Sequence, residues 1–352
     1  MLPYWLMFAL WSAGALQAER RRDHDSRILF FVAAAIATTL MIGLRYRVGG
    51  DWLTYQDTYD DIYFLSLRAA LTTTDMGYAA SNWLAAQGDL GIWFVNVICG
   101  VLFMAGLARL AWKQPNPSLA VLVAIPYLII VVAMGYTRQA AAIGILCLAI
   151  ADASERHLLR LIVLSLAAAL FHKTAVLVLP ILLIPIFRRN ALFGVFGGVI
   201  FLALSILVLR SSSDRLITNY VQGNYDSQGA AIRVSMNAVA AALFVILRKK
   251  FDFTPFQASY WMTCSLLSFA AVPALFIASA SSGIDRISLY IIPLQVVVYS
   301  QLPYVLSKTS KALPSVLIGV VGYSFTVQFV WLHYAAYSFF WLPYRTVLQG
   351  EG

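Results

Sequence analysis

Seven cationic or titratable side chains interrupt an otherwise apolar chain. They are Arg45 and Arg47 in LRYRVGGDW, Arg138 in MGYTRQAAAIG, His172 and Lys173 in AALFHKTAV, Arg233 in GAAIRVSMN and Arg286 in SSGIDRISLY. Arginine suits bidentate contact with phosphate oxygens and keeps its charge at any working pH. Several of these arginines fall where a helix should start, and the free N–H groups of a helix N-terminus also attract anions. The chemistry this set can do is to hold a polyanion, and at a membrane boundary a lipid-attached pyrophosphate would be placed there naturally. Blander readings stand beside it. Arg45 and Arg47 can snorkel to the interface and pair with Asp51 or with lipid phosphate. Asp285 can simply neutralise Arg286, and His172 can be an interfacial histidine bonded to backbone. Arg138, alone in YTRQAAAI, fits a functional role better.

The residues after Asp51 offer a second chemistry. Trp52, Tyr55, Tyr59 and Ile62 recur at helical spacing, with Asp57, Asp60 and Asp61 on other faces. One reading is an amphipathic helix lying in the aromatic belt. The other is a sugar platform, with rings such as Tyr55 stacking on sugars while carboxylates bond their hydroxyls. Tyr78, Asn82 and Trp83 permit both readings, and Tyr220, Asn224, Tyr225 and Asp226 add sugar-compatible groups later.

The elements that must position these residues are membrane helices. The chain has 352 residues, 61% hydrophobic and 12% charged, and a soluble domain carries roughly twice that charged fraction. Apolar runs near the length that crosses a bilayer recur along it, without the alternation of a transmembrane barrel. The expected fold is an all-α polytopic membrane protein of about twelve spans, with short amphipathic helices in its outer loops. The spans fall near 2–18, 28–44, 90–112, 118–134, 136–151, 158–171, 173–187, 191–209, 233–248, 257–280, 287–306 and 312–333. Those between 136 and 187 are short enough to be tilted, kinked or broken. One integral membrane domain covers 1–352, with longer outer segments at about 45–89 and 210–232.

Orientation follows from the basic residues. Positive charge comes after the first apolar stretch, in ERRRDHDSR, not before it as in a cleavable signal. That order predicts a retained first helix and an outside N-terminus. With twelve spans the C-terminus is then also outside. Fifteen of the 25 Lys and Arg residues fall inside, and every inside loop has at least two. The seven residues of the opening set all point to the opposite, outer face.

Several chemistries find no support. The net charge of +9 reads as topology, not as nucleic-acid binding. Cys99, Cys147 and Cys264 lie in apolar runs with no ligand spacing, and the four histidines are scattered, so neither a metal nor another cofactor is expected. No phosphate-binding glycine loop, HExxH or GxSxG elbow is present.

Four segments, in order, resemble a known family. RYRVGGDWLTY resembles the Arg…Gly-x-Asp…Tyr segment of EpsG-type and Wzy-type polysaccharide polymerases. GYTRQAAAIGI resembles their Gly-x-x-Arg-Gln-x-x-Ala segment, and AALFHKTAVL their Phe-His-x-(Ser/Thr)-Ala segment. DRISLY resembles their late Arg-x-x-x-Tyr segment, which singles out Tyr290. Lys173 departs from the pattern, which has a small or polar residue there.

The resemblance implies a glycosyltransferase of the bacterial inner membrane. It would polymerise oligosaccharide repeat units carried on undecaprenyl pyrophosphate, as both donor and acceptor, at the periplasmic face. The partners it implies are that lipid-linked oligosaccharide and the membrane lipid, with room for a chain-length-regulating co-polymerase. Arg138, Arg233 and Arg286, with Arg45 or Arg47, would stabilise the departing pyrophosphate. His172, ahead of Asp51, would accept the proton of the acceptor hydroxyl. Tyr55, Asp285 and Tyr290 would complete the substrate contacts. A ligase that moves finished glycan to another lipid would use nearly the same site. A transporter or flippase of lipid-linked saccharide would need polar groups at the membrane midplane, where the expected spans have almost none.

Overall fold

The structure, a computed structural model, describes residues 1–18, 24–187, 229–277, 281–307 and 313–349. The expected span 191–209 and Tyr220, Asn224, Tyr225 and Asp226 lie outside the described residues. Every regular element among those described is helical. In chain order these are α1 (Leu2–Gln17), α2 (His24–Gly43), α3 (Trp52–Tyr63), α4 (Leu67–Ala70), α5 (Met76–Gln87), α6 (Ile92–Trp112) and α7 (Pro117–Ala124). Then come α8 (Thr137–Ala151), α9 (Leu158–Phe171), α10 (Leu179–Phe187), α11 (Ala230–Leu247), α12 (Pro255–Ile277), α13 (Ser281–Ser288), α14 (Pro293–Leu306) and α15 (Leu313–Tyr334).

Five described helices are long and apolar enough to cross a bilayer: α2, α6, α11, α12 and α15. The bent pair α13–α14, with a 41° angle at the break, makes a sixth if taken as one span. Other apolar helices, such as α8 and α9, are shorter. The all-helical membrane class therefore stands, whereas the count of about twelve is not established. The long helices expose leucine, isoleucine and phenylalanine on their outer faces, including Leu29, Ile36, Ile246, Phe276 and Ile318, as helices facing lipid do.

The core is built around α8, of whose 15 residues 13 are buried. Small residues allow this. A Cβ added at Gly106 of α6 would overlap the carbonyl of Gly144 in α8, so the two backbones touch as membrane helices do at small-residue seams. Fifteen residues make a helix of about 22 Å, against about 30 Å of hydrocarbon. Enclosed by protein, α8 has no need to match the bilayer.

Three departures from the expected spans matter for the site. The run expected as one straight span at 118–134 is α7 followed by nine residues of wider, π-helical turn, Ile125–Ala133, all buried. Wide turns of this kind gather at functional sites, and nothing in the apolar run IPYLIIVVA announces one. The span expected from 287 begins earlier, so Arg286 lies in the last turn of α13 and not at a helix N-terminus. The argument from a helix start therefore fails for Arg286, whereas Arg138 and Arg233 do lie in first turns. The third departure is the C-terminal segment, which folds back as a strap over the turn between α2 and α3. The Gly49 N–H donates to Phe340 O at 2.9 Å, Tyr46 N–H to Arg345 O at 2.9 Å and Val347 N–H to Leu44 O at 2.9 Å. Beneath it the Trp341 indole donates to Ile130 O at 2.8 Å, and Tyr4 of α1 donates to Trp341 O at 2.8 Å.

The outer segment 45–89 is ordered into α3, α4 and α5. The four residues read as one face of a helix are the ones α3 buries: Trp52, Tyr55, Tyr59 and Ile62. They face protein and not lipid, since the three aromatics pack with Tyr78, Ile92, Val95 and Cys99.

Candidate active site

The turn that carries Arg45 and Arg47 uses them differently from the expectation. Arg45 is 1% exposed. Its guanidinium donates to Ile42 O (2.5 Å), Val48 O (3.3 Å), Asn96 Oδ1 (3.1 Å) and Thr137 Oγ1 (2.6 Å). It clamps the end of α2 and α6 to the first residue of α8, next to Arg138, and so positions that helix instead of facing a ligand. Arg47 is exposed, in the left-handed region with φ 52°, and lies over the Tyr46 ring at 5.3 Å. Gly49 follows at φ 109°, a conformation that glycine tolerates best. A Cβ there would also run into the Met134 carbonyl, so the turn is pressed against the end of the wide-turn segment. This aims Asp51 inward. Asp51 occupies the N-cap position of α3, yet its carboxylate does not cap the helix. Its Oδ2 lies 3.9 Å from Arg286 Nη2.

The hub of the site is Asp75, which sequence reasoning missed. In TTTDMGY it reads as an N-cap for α5, and it holds that position without a side-chain cap bond. Its buried carboxylate instead accepts from Arg138 Nη1 at 3.2 Å and the Lys173 backbone N–H at 3.4 Å, and it lies 3.8 Å from His172 Nδ1. Arg138 also donates to Thr74 Oγ1 at 2.8 Å, and its guanidinium lies over the Tyr55 and Tyr78 rings, each at 5.8 Å. Tyr55 is buried and serves here as a shelf for a cation, not as an exposed platform for sugar. The break expected at His172 is present. α9 ends at Phe171, His172 is extended, and a 3-10 turn follows from Lys173 to Val178.

The late segment adds two more cations. Asp285 does not pair with its neighbour Arg286. It accepts from Arg233 Nε and Nη2, both at 2.7 Å, while Arg233 lies over Tyr127 at 5.8 Å and Arg286 over Tyr136 at 5.0 Å. Tyr136, under Arg286, also lies within electrostatic reach of Asp51, Arg233 and Asp285. The Tyr290 hydroxyl shares a 2.9 Å hydrogen bond with Thr174, tying this segment to the loop that carries His172. Tyr127 and Tyr136 were also missed; in sequence they are ordinary residues of apolar runs, and only the fold puts each against a charge. Thr174 is the Ser/Thr position of the Phe-His-x-(Ser/Thr)-Ala segment.

Burial sorts the arginines. Arg45 is enclosed and Arg233 is locked face to face with Asp285. Arg138 and Arg286 keep 31% and 34% of their side chains exposed. Asp51 and His172 lie beside them. Burial pushes the Asp51 carboxyl above its usual range, against the opposing pull of Arg286, Arg138 and His172. Burial pushes His172 below the usual histidine range, with Arg138 and Arg286 adding to it and Asp75 resisting. A neutral imidazole beside two guanidinium groups can accept a proton while the guanidiniums hold a departing anion.

A profile of the EpsG family matches residues 28–346. The chain belongs to the EpsG family. This is a Wzy-type family of membrane polysaccharide polymerases, and the match takes in every site residue from Arg45 to Tyr290. No curated protein and no solved structure matches the chain significantly.

Proposed function

We propose that this member of the EpsG family polymerises oligosaccharide repeat units carried on undecaprenyl pyrophosphate, at the periplasmic face of the bacterial inner membrane. The observation that carries the proposal is the meeting of Asp51, Arg138, His172 and Arg286, from four separate stretches of chain, at one end of the helices. A lipid-linked pyrophosphate presents its charge at the membrane boundary, and two guanidiniums about one-third exposed are suited to it.

In the reaction, the acceptor hydroxyl gives its proton to His172 and its oxygen bonds to the anomeric carbon of the donor chain. The bond from that carbon to the pyrophosphate breaks, and its electron pair leaves with undecaprenyl pyrophosphate. Arg138 and Arg286 stabilise the growing negative charge, which is where preorganised cations contribute most. Arg233, held by Asp285, contributes to the field from behind Tyr136. Asp51 orients the acceptor or steadies the protonated imidazole.

The test is the lipid-linked glycan profile of a strain lacking this gene, complemented with wild type, Arg138→Ala or His172→Ala at matched membrane levels. The proposal expects single repeats on lipid in both variants. Long chains that fail to reach a further acceptor would identify a ligase instead. Full-length polymer from both variants would reject the site.

A further inference from the structure

We propose that Asp75 is the positioning residue for His172, fixing the proton on Nδ1 so that Nε2 is the atom that accepts the acceptor's hydroxyl proton. The inference rests on the glycosyl-transfer reading above and adds a residue to it. Three observations carry it. The Asp75 carboxylate faces His172 Nδ1, at 3.8 Å. The other ring nitrogen, Nε2, is buried without a hydrogen-bond partner among the described residues, although buried polar atoms are nearly always paired. Asp75 itself is 6% exposed and leaves its own helix uncapped, so its carboxylate is spent on the site.

The fold explains how the pair meets. α5 approaches the end of α9 at Gly77, where an added Cβ would lie 3.1 Å from both Leu170 O and Phe171 Cε2. That contact sets Asp75, two residues before Gly77, against His172, one residue after Phe171. A separation of 3.8 Å is longer than a hydrogen bond, as catalytic pairs often are before substrate arrives. The Lys173 N–H and the Arg138 guanidinium hold the carboxylate in place and aim it. An ionised carboxylate accepts only, so Nδ1 must be the protonated nitrogen. When Nε2 takes the hydroxyl proton, the ring becomes a cation and Asp75 is the neighbouring anion that stabilises it, as an orienting carboxylate does for a general base. The charged groups facing His172 are Asp75 on the α5 side, Arg138 on α8, Arg286 on α13 and Asp51 in the turn before α3. Lys173 adjoins it in sequence.

The experiment measures polymerisation in membranes supplied with lipid-linked repeat units, for wild type, Asp75→Asn, Asp75→Glu, His172→Ala and the double variant Asp75→Asn/His172→Ala. Asparagine can donate to Nδ1 and so favour the wrong tautomer. The expected loss in Asp75→Asn is on the order of 10²-fold in rate, with the acidic limb of the pH profile moved to lower pH because a carboxylate that holds the imidazole's proton is gone. Asp75→Glu should recover part of the rate, and Asp75→Asn should cost little further in the His172→Ala background. An unshifted acidic limb, or a loss that multiplies undiminished in the double variant, overturns the inference and makes Asp75 a purely structural partner of Arg138. If His172→Ala is itself silent, the transfer reading falls as well. If only Asp75→Asn is silent, that reading stands and this inference alone fails.

Discussion

The two ends of α8 carry similar charges and treat them in opposite ways. Past its C-terminal end, Asp152 receives Arg109, Lys113 and Arg160 at 2.9, 3.0 and 3.0 Å, and all three cations are close to half exposed. At its N-terminal end, Asp75 receives Arg138 and faces His172, and around them lie tyrosine rings, a second carboxylate and Arg286. The first arrangement is three solvated cations on one anion, as a loop that fixes orientation in the membrane requires. The second uses one carboxylate to order an arginine and a histidine in a desolvated setting. A list of charges along the chain does not separate the two. Burial and the sharing of partners do.

The contrast breaks most directly through activity. His172→Ala or Arg138→Ala should lower polymerisation by on the order of 10² to 10⁴-fold, whereas Arg160→Ala should leave it within twofold, measured as glycan chain formation at equal membrane levels. Equal losses at both ends would erase the distinction. The strap tests whether the N-terminal end needs external support. Trp341→Ala removes a buried indole and its bond to Ile130 O, and should cost about 3–5 kcal/mol in stability, read as a lower unfolding temperature in detergent. Acidity sharpens the comparison next. With His172 held below the ordinary histidine range, the rate should persist through mildly acidic pH. Below the shifted value it should fall about tenfold per pH unit as the imidazole protonates. The smallest effect belongs to Asp152, whose pKa Arg109 and Lys113 lower to about 2 from 3.8 despite the opposing effect of burial. Its contribution is present above the unfolded value and is lost as pH falls from about 4 toward 2. Because its partners are solvated, Asp152→Asn should cost about 1 kcal/mol or less at neutral pH, with polymerisation intact.

Some of this was legible from residues alone. Trp52, Tyr55, Tyr59 and Ile62 form one face because a helix repeats every 3.6 residues, and that periodicity is written in neighbours. The break at His172 was legible because two polar residues interrupt an apolar run. The role of Arg45 was not, because a buried structural arginine and a ligand-binding one look the same in sequence. Neither was the partner of Arg233, since Asp285 lies beside Arg286 in the chain and the helix geometry turns it the other way. Asp75 was not singled out, because the partners that give it a role, Arg138 and the Lys173 N–H, lie 63 and 98 residues away in the chain.

Hydropathy and helical spacing, which act over a few residues, settled by themselves that the chain forms apolar helices and that its cations gather at their breaks. The sequence over residues 28–346 settled the family through its match to the family profile. The tertiary structure alone decided which charges meet. Arg138 finds Asp75 across 63 residues and Arg233 finds Asp285 across 52, separations at which no local rule operates. The packing of α5 and α8 against α9, and of α11 against α13, decides those pairings, because only packed backbones bring such distant side chains within hydrogen-bond reach.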